Sequence, residues 1–336
     1  MKIILFIVFV VSLMGIIVST AGCENTATTA VPNRPSPTEQ PAISTQIAGA
    51  NEIPPTTQAT TPPIITHTPV SSQTPTPTSK PNIIIDHSNW DWYNSQPSSV
   101  FESVAQLKIF FAHASVGANV LQGIADLNSS NPSKYPLTQI TSGDTPPSTT
   151  TIGVIYQYDR GNAGWSVKIQ DFENYLKNGW NGTKVNLVMN KFCYIDQNAD
   201  WTAYRNSMIA LEAKYPGTTF IYFTMPLTTT GDSDEILRSQ FNQNLRSWIA
   251  TQNNKILFDI ADIESWSPDR QIQTFTNKGV TYPKLYEGYS SDGGHLNANG
   301  MNRMATGLYS LFGQYAHGRH ALAQRAEEAR PGGSSR

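Results

Sequence analysis

The sequence predicts an α/β fold in three layers, α/β/α, around a doubly wound parallel sheet of about five strands. Short apolar runs alternate with segments of helical period from about residue 81 onward. The runs are largely apolar rather than alternating, as expected for strands covered on both faces. The 336 residues leave room for one such domain of roughly 200–250 residues plus extra segments, and no internal repeat is apparent.

The elements follow in order. Leu107-Lys108-Ile109-Phe110-Phe111 reads as a buried strand, and residues 116–127 as the helix after it, with Val116, Val120, Ile124 and Leu127 on one face. Residues 152–156 form the next strand. Ser166 is placed to cap a helix bearing Ile169, Phe172 and Leu176. A strand over 185–189 precedes a helix over 201–215. A strand over 220–223 is closed by Met225-Pro226 and followed by a helix over 236–249. Residues 255–260 give the last strand and 297–312 the last helix. Ligands of such open sheets bind outside the carboxyl ends of the strands.

The ends have a different composition. Met1-Lys2 leads into an apolar run over 3–18, then Ser19-Thr20-Ala21-Gly22-Cys23. A positive start, a short apolar core and small residues predict a secretory signal over 1–22. Ala21-Gly22-Cys23 resembles a bacterial lipobox, which implies lipidation of Cys23, although Thr20 stands where leucine is usual. Ordinary cleavage or an uncleaved anchor are the alternatives. Residues 23–82 are rich in Thr, Pro, Ser and Ala, too poor in apolar groups to fold, and are expected to form a disordered, semi-stiff spacer. The folded domain is expected over 83–315 and a polar tail over 316–336. These features predict a lipid-anchored or secreted protein at the bacterial cell surface. The net charge of −2 gives no basic balance for nucleic acid. A monomer is expected. With two cysteines only, lipid on Cys23 leaves Cys193 without a partner, and its apolar setting predicts a buried structural thiol.

Two distant segments carry chemistry. Phe110-Phe111-Ala112-His113-Ala114-Ser115-Val116-Gly117 puts a serine at a strand-to-helix turn. Ser291-Asp292-Gly293-Gly294-His295-Leu296-Asn297 puts an aspartate and a histidine in a loop before the last helix. A serine hydroxyl needs an adjacent base, and a base needs a group that fixes its tautomer. Ser115, His295 and Asp292 supply those parts. Each also has a plain alternative: Ser115 as a helix N-cap, Asp292 as a turn cap, His295 as a loop residue.

This order resembles the SGNH (GDSL-like) hydrolase family, in a divergent branch. The Asp-x-x-His block matches well, whereas the usual Gly-Asp before the serine is absent. The resemblance covers about residues 107–311 and implies a flavodoxin-like sheet and acyl-ester hydrolysis without metal or cofactor. It also implies oxyanion donors: the Gly161 amide after the second strand, and the Asn190 side chain after the third, with Asn162 as a substitute. Val188 stands where the family has glycine before that asparagine. His113 is expected to pack locally. Lys191 and Asp196 are read as a surface ion pair or part of the cleft, and Trp165, Tyr194, Trp201 and Tyr289 as core, rim or a sugar-stacking wall. The expected substrate is an acyl ester, with acylated carbohydrate favoured by an extracellular setting. The alternatives are a non-catalytic glycan-binding module with the same fold, and an O-acyltransferase.

Overall fold

A computed structural model describes residues 80–147, 151–182 and 184–328, with side chains to residue 319. The signal, Cys23 and nearly all of the spacer lie outside the described residues. In chain order the elements are β1 (Ile83–Ile85), α1 (Ser98–Val104), β2 (Lys108–His113), α2 (Val116–Ser130), β3 (Thr138–Thr141), β4 (Val154–Asp159), α3 (Trp165–Lys177) and β5 (Leu187–Asn190). Then come α4 (Trp201–Lys214), β6 (Thr219–Phe223), α5 (Ser233–Ala250), β7 (Ile256–Phe258), α6 (Ile260–Ser265), β8 (Thr274–Asn277), β9 (Val280–Pro283) and α7 (Ala298–Glu328).

Seven parallel strands form one sheet in the order β1-β7-β6-β5-β2-β4-β3. The five strands expected from sequence are β2, β4, β5, β6 and β7. Among themselves they run second, first, third, fourth, fifth, which is the flavodoxin-like order. The sheet exceeds the expectation because each edge gains a strand. β1 is only three residues long, and β3, Thr-Gln-Ile-Thr, is largely exposed and lacks an apolar run.

Alternation along each strand makes the three layers. Ile109, Phe111, Leu187, Met189, Ile221 and Phe223 face one way and pack with Val120 and Ile124 of α2 and Leu308 and Phe312 of α7. Phe110, Tyr156, Val188, Phe220 and Tyr222 face the other way and pack with Phe172 of α3, Tyr204 of α4 and Phe241 of α5. Each fully buried side chain of this size contributes about 1.5–3 kcal/mol. Cys193 is buried and unpaired, as its apolar neighbours predict.

Two boundaries differ from expectation. Helix α7 runs past the expected end at 312 to Glu328, over the part of the 316–336 segment expected as a frayed helix, because residues 321–328 (Ala-Leu-Ala-Gln-Arg-Ala-Glu-Glu) are mostly good helix formers. An antiparallel hairpin, β8 with β9, fills a stretch that carried no predicted element. Its two-residue turn is Lys278-Gly279, both at positive φ (48° and 80°), the geometry that matches strand twist.

Helices α2 and α7 pack closely at Gly123 of α2. A β-carbon there would lie 2.3 Å from the Met301 carbonyl oxygen of α7. Gly123→Ala is therefore expected to push the helices apart and destabilise the domain by about 1–3 kcal/mol. Urea unfolding should show a lower midpoint, and an unchanged midpoint would remove the close contact from the account.

Candidate active site

β2 ends at His113 and α2 begins at Val116, so the chain turns sharply over Ala114 and Ser115. Ser115 has φ 52° and ψ −114°, a region crowded by a side chain. Such a residue costs about 1–3 kcal/mol and persists only where its surroundings enforce it. Gly117 is part of that enforcement, since a β-carbon on it would lie 2.5 Å from Cβ of His113. Ser115 occupies the N-cap position but makes no side-chain cap bond. Its Oγ lies 2.7 Å from Nε2 of His295, across 180 residues of sequence. The plain N-cap reading therefore fails: the hydroxyl is aimed at the histidine.

Asp292 organises its own loop. One oxygen, Oδ1, accepts the backbone N–H groups of Gly294 (2.9 Å) and His295 (2.8 Å). The other, Oδ2, lies 2.7 Å from Nδ1 of His295. A spacing of three lets a short carboxylate close the turn and reach the imidazole at once. Asp292 accepts at Nδ1, so the network assigns the proton to Nδ1 and leaves the Nε2 lone pair for the Ser115 hydroxyl. Gly293, at φ 90°, makes the turn possible.

Residues not singled out from sequence hold this loop. Asn119, one turn into α2, accepts the Leu296 N–H on Oδ1 at 3.2 Å. Ser290 Oγ donates to the His295 carbonyl at 2.6 Å and accepts the Gly293 N–H at 3.0 Å. Thr229 N–H donates to the Gly293 carbonyl at 2.9 Å. The Tyr194 ring meets the His295 ring edge-on, with centroids 5.5 Å apart, and packs over Gly294. Of the four aromatics weighed from sequence, Tyr194 alone meets the His295 ring. Tyr289 is in the core, Trp165 and Trp201 pack against the opposite face of the sheet, and Trp201 also lies under Arg205.

Partial desolvation pushes the Asp292 pKa up. The N–H bonds from Gly294 and His295 and the attraction of the His295 side chain outweigh it, holding the pKa at about 2 against an ordinary 3.8. A depressed carboxylate stabilises the fold above its unfolded pKa, and that contribution fades as pH falls through about 2. Its side chain is 56% exposed, so solvent screens most of this effect.

The oxyanion candidates divide. Asn190 ends β5 beside Ala112 of β2, is 2% exposed, and leaves Oδ1 buried without a partner. Gly161 follows β4 in a turn at φ 67°, but its N–H donates to Asp159 Oδ1 at 3.0 Å, so that donor is already engaged. Asn162 is exposed in the same turn. His113 packs locally, as expected: its Nε2 lies 2.7 Å from Gln157 Oε1, and burial lowers its pKa. The expected Lys191–Asp196 pair is corrected. Both are buried, and Asp196 instead pairs with Lys168 at 2.6 Å. Lys191 Nζ donates to the Phe192 carbonyl at 2.9 Å, and burial depresses its pKa to about 8.

No protein-family model and no curated protein matches the chain. Solved structures similar to it include a provisionally named platelet activating factor from Streptococcus pneumonia, at 13% identity and TM-score 0.39, over 68% of this chain and 92% of that one. A provisionally named acylhydrolase from Bacteroides fragilis NCTC 9343 matches at 15% identity and TM-score 0.38, over 68% of this chain and 98% of that one.

The backbone strain at Ser115 makes a direct prediction. Ser115→Gly should be at least as stable as the parent in thermal unfolding, because glycine adopts this φ freely, gaining about 1 kcal/mol against its own entropy cost of about 0.5–1 kcal/mol. A clear drop in Tm would mean that the turn is not strained. Asp292 should remain ionised down to about pH 2–3, so that any acid loss of function above that range belongs to another group. A carboxyl carbon NMR titration of Asp292 checks this, and a midpoint above 4 would contradict it.

Proposed function

We propose that the domain is a serine esterase of SGNH type that hydrolyses an acyl ester. The observation that carries this reading is the continuous line Ser115 Oγ–His295 Nε2 and His295 Nδ1–Asp292 Oδ2, each step 2.7 Å. Such a line does what the uncatalysed hydroxyl cannot. His295 takes the Ser115 proton as Oγ attacks the ester carbonyl carbon, and Asp292 steadies the imidazolium that forms. The tetrahedral oxyanion collapses, the C–O bond to the alcohol breaks, and His295 returns the proton to the leaving oxygen. Water then repeats the sequence on the acyl-serine and releases the acid.

The positive end of α2 and the Ser115 amide face the developing oxyanion, with Asn190 as the side-chain donor. Gly161 joins them only if Asp159 releases its N–H. That engaged donor favours a non-catalytic glycan-binding module, as do the missing Gly-Asp before Ser115 and Val188 in the place of a glycine. An O-acyltransferase would use the same residues with a sugar hydroxyl in place of water. For the setting, we take the sequence signals of a lipid-anchored or secreted protein to support an acylated extracellular glycan as substrate, with the domain acting as a monomer.

Purified protein should hydrolyse p-nitrophenyl acetate and take a fluorophosphonate label on Ser115. Ser115→Ala should lose both, with kcat falling by about 10³-fold or more. A parent protein that neither turns over nor labels would leave the binding module. Acyl transfer to an added glycan in preference to water would establish the acyltransferase instead.

A further inference from the structure

Beyond the triad, and resting on the esterase reading, we propose that Arg160 is the positioning residue of the site's oxyanion side. It holds Asn190 and the Gly161 turn in register with Ser115. The sheet order places β2, which carries the nucleophile, between β4 and β5. Arg160 is the first residue after β4, and its side chain reaches past β2 to β5.

Three bonds make the clamp. The Arg160 backbone N–H donates to the His113 carbonyl at 3.0 Å, extending the β2–β4 ladder one step beyond Asp159. Its Nη2 donates to the Lys191 carbonyl at 2.9 Å, directly after Asn190. Its Nη1 donates to the Lys168 carbonyl of α3 at 3.0 Å. One residue thus joins the carboxyl ends of β4, β2 and β5 to a helix. Its neighbour in sequence is Gly161, and the neighbour of its anchor point is Asn190. Both candidate oxyanion donors therefore hang one residue from the clamp.

The chemistry of the side chain fits this task. Among the described residues, both of its acceptors are neutral carbonyls and no carboxylate lies within ion-pair distance. Its Nε is buried without a partner. Burial lowers its pKa to about 10, which still leaves it charged near neutrality. A half-buried cation bonded to neutral carbonyls, with Asp196 and Asp171 attracting it only from beyond ion-pair distance, gains little from charge pairing, so simple stability is a poor reason for this residue. A planar fork that bonds two carbonyls at fixed separation is what arginine supplies and lysine does not.

The test compares Arg160→Lys, Arg160→Met and a core control, Leu245→Ala, in the full chain. Arg160→Lys should fold, keep KM for p-nitrophenyl acetate within about twofold, and lose kcat by about 10–100-fold, since misplacing an oxyanion donor costs up to the loss of that donor. Fluorophosphonate labelling of Ser115 should slow in parallel. Leu245→Ala should lower Tm without this split between kcat and KM. Hydrogen exchange supplies a readout independent of activity: Arg160→Met should lose amide protection over residues 158–162 and 188–193. A folded Arg160→Lys with the parent kcat, or unchanged exchange in both segments, overturns the clamp. A parent protein inert to fluorophosphonate sinks the esterase reading instead, and the exchange result still decides the clamp.

Discussion

The site depends on how closely α2 and α7 approach each other. Ser115 immediately precedes α2, and His295 stands three residues before α7. When these helices pack on one face of the sheet, their amino ends come together and bring two distant segments within hydrogen-bond reach. Gly123 sets the distance, because any side chain there would strike the backbone of α7. A close-packed interior transmits such a displacement rather than absorbing it. The Asn119 bond to the Leu296 amide reinforces the same junction from the first turn of α2.

Within that frame the two halves of the site are built in different ways. The serine half is held under backbone strain, with Oγ free of capping duty because the turn aims it away from the helix amides. The Asp292–His295 half is closed mainly by its own loop: Asp292 accepts two of the loop's backbone N–H groups with one oxygen and meets the imidazole with the other, while Asn119, Thr229 and Tyr194 hold the loop from outside. A polar scaffold behind the site supports both halves. Arg238 bonds the Tyr194 carbonyl, whose ring packs on His295, and also bonds Thr228 beside the loop that holds Gly293. Glu235, on the same helix, accepts the Thr228 amide. These charges lie inside the protein, with the bonds to Arg238 and Thr228 all on Glu235 Oε2 and Oε1 left without a partner.

Much of this was legible in the sequence. Largely apolar runs such as Leu107–Phe111 mark the five central strands, because two-sided burial leaves a clear trace, while their flavodoxin-like order comes from the family resemblance. Asp292-Gly293-Gly294-His295 announced its turn and its chemistry together, since the spacing is what a short carboxylate needs. The edge strands were not legible: β3 has one exposed face and β1 is too short to show a pattern. The β8–β9 hairpin hid because its strands are mostly polar and its turn is Lys-Gly, a weaker signal than Asn-Gly. The buried ionic residues misled most. Lys191 and Asp196 look like a surface pair, and nothing in their spacing reveals that tertiary packing buries both and gives Asp196 to Lys168. Tyr194 and Asn119 owe their roles to neighbours far away in sequence, which no local pattern records.

The parallel sheet also gives the domain a front and a back. Ser115, Gly161 and Asn190 lie at the carboxyl ends of β2, β4 and β5, and the loop before α7 brings Asp292 and His295 to Ser115 on that side. Lys80, by contrast, accepts the Asn254 N–H just ahead of β7, at the amino ends. Tyr315, late in α7, meets Thr219 at the start of β6, on the same side. Both flanks of the described domain thus emerge from the rear. A tether fixed at Lys80 therefore starts from the side of the sheet opposite Ser115.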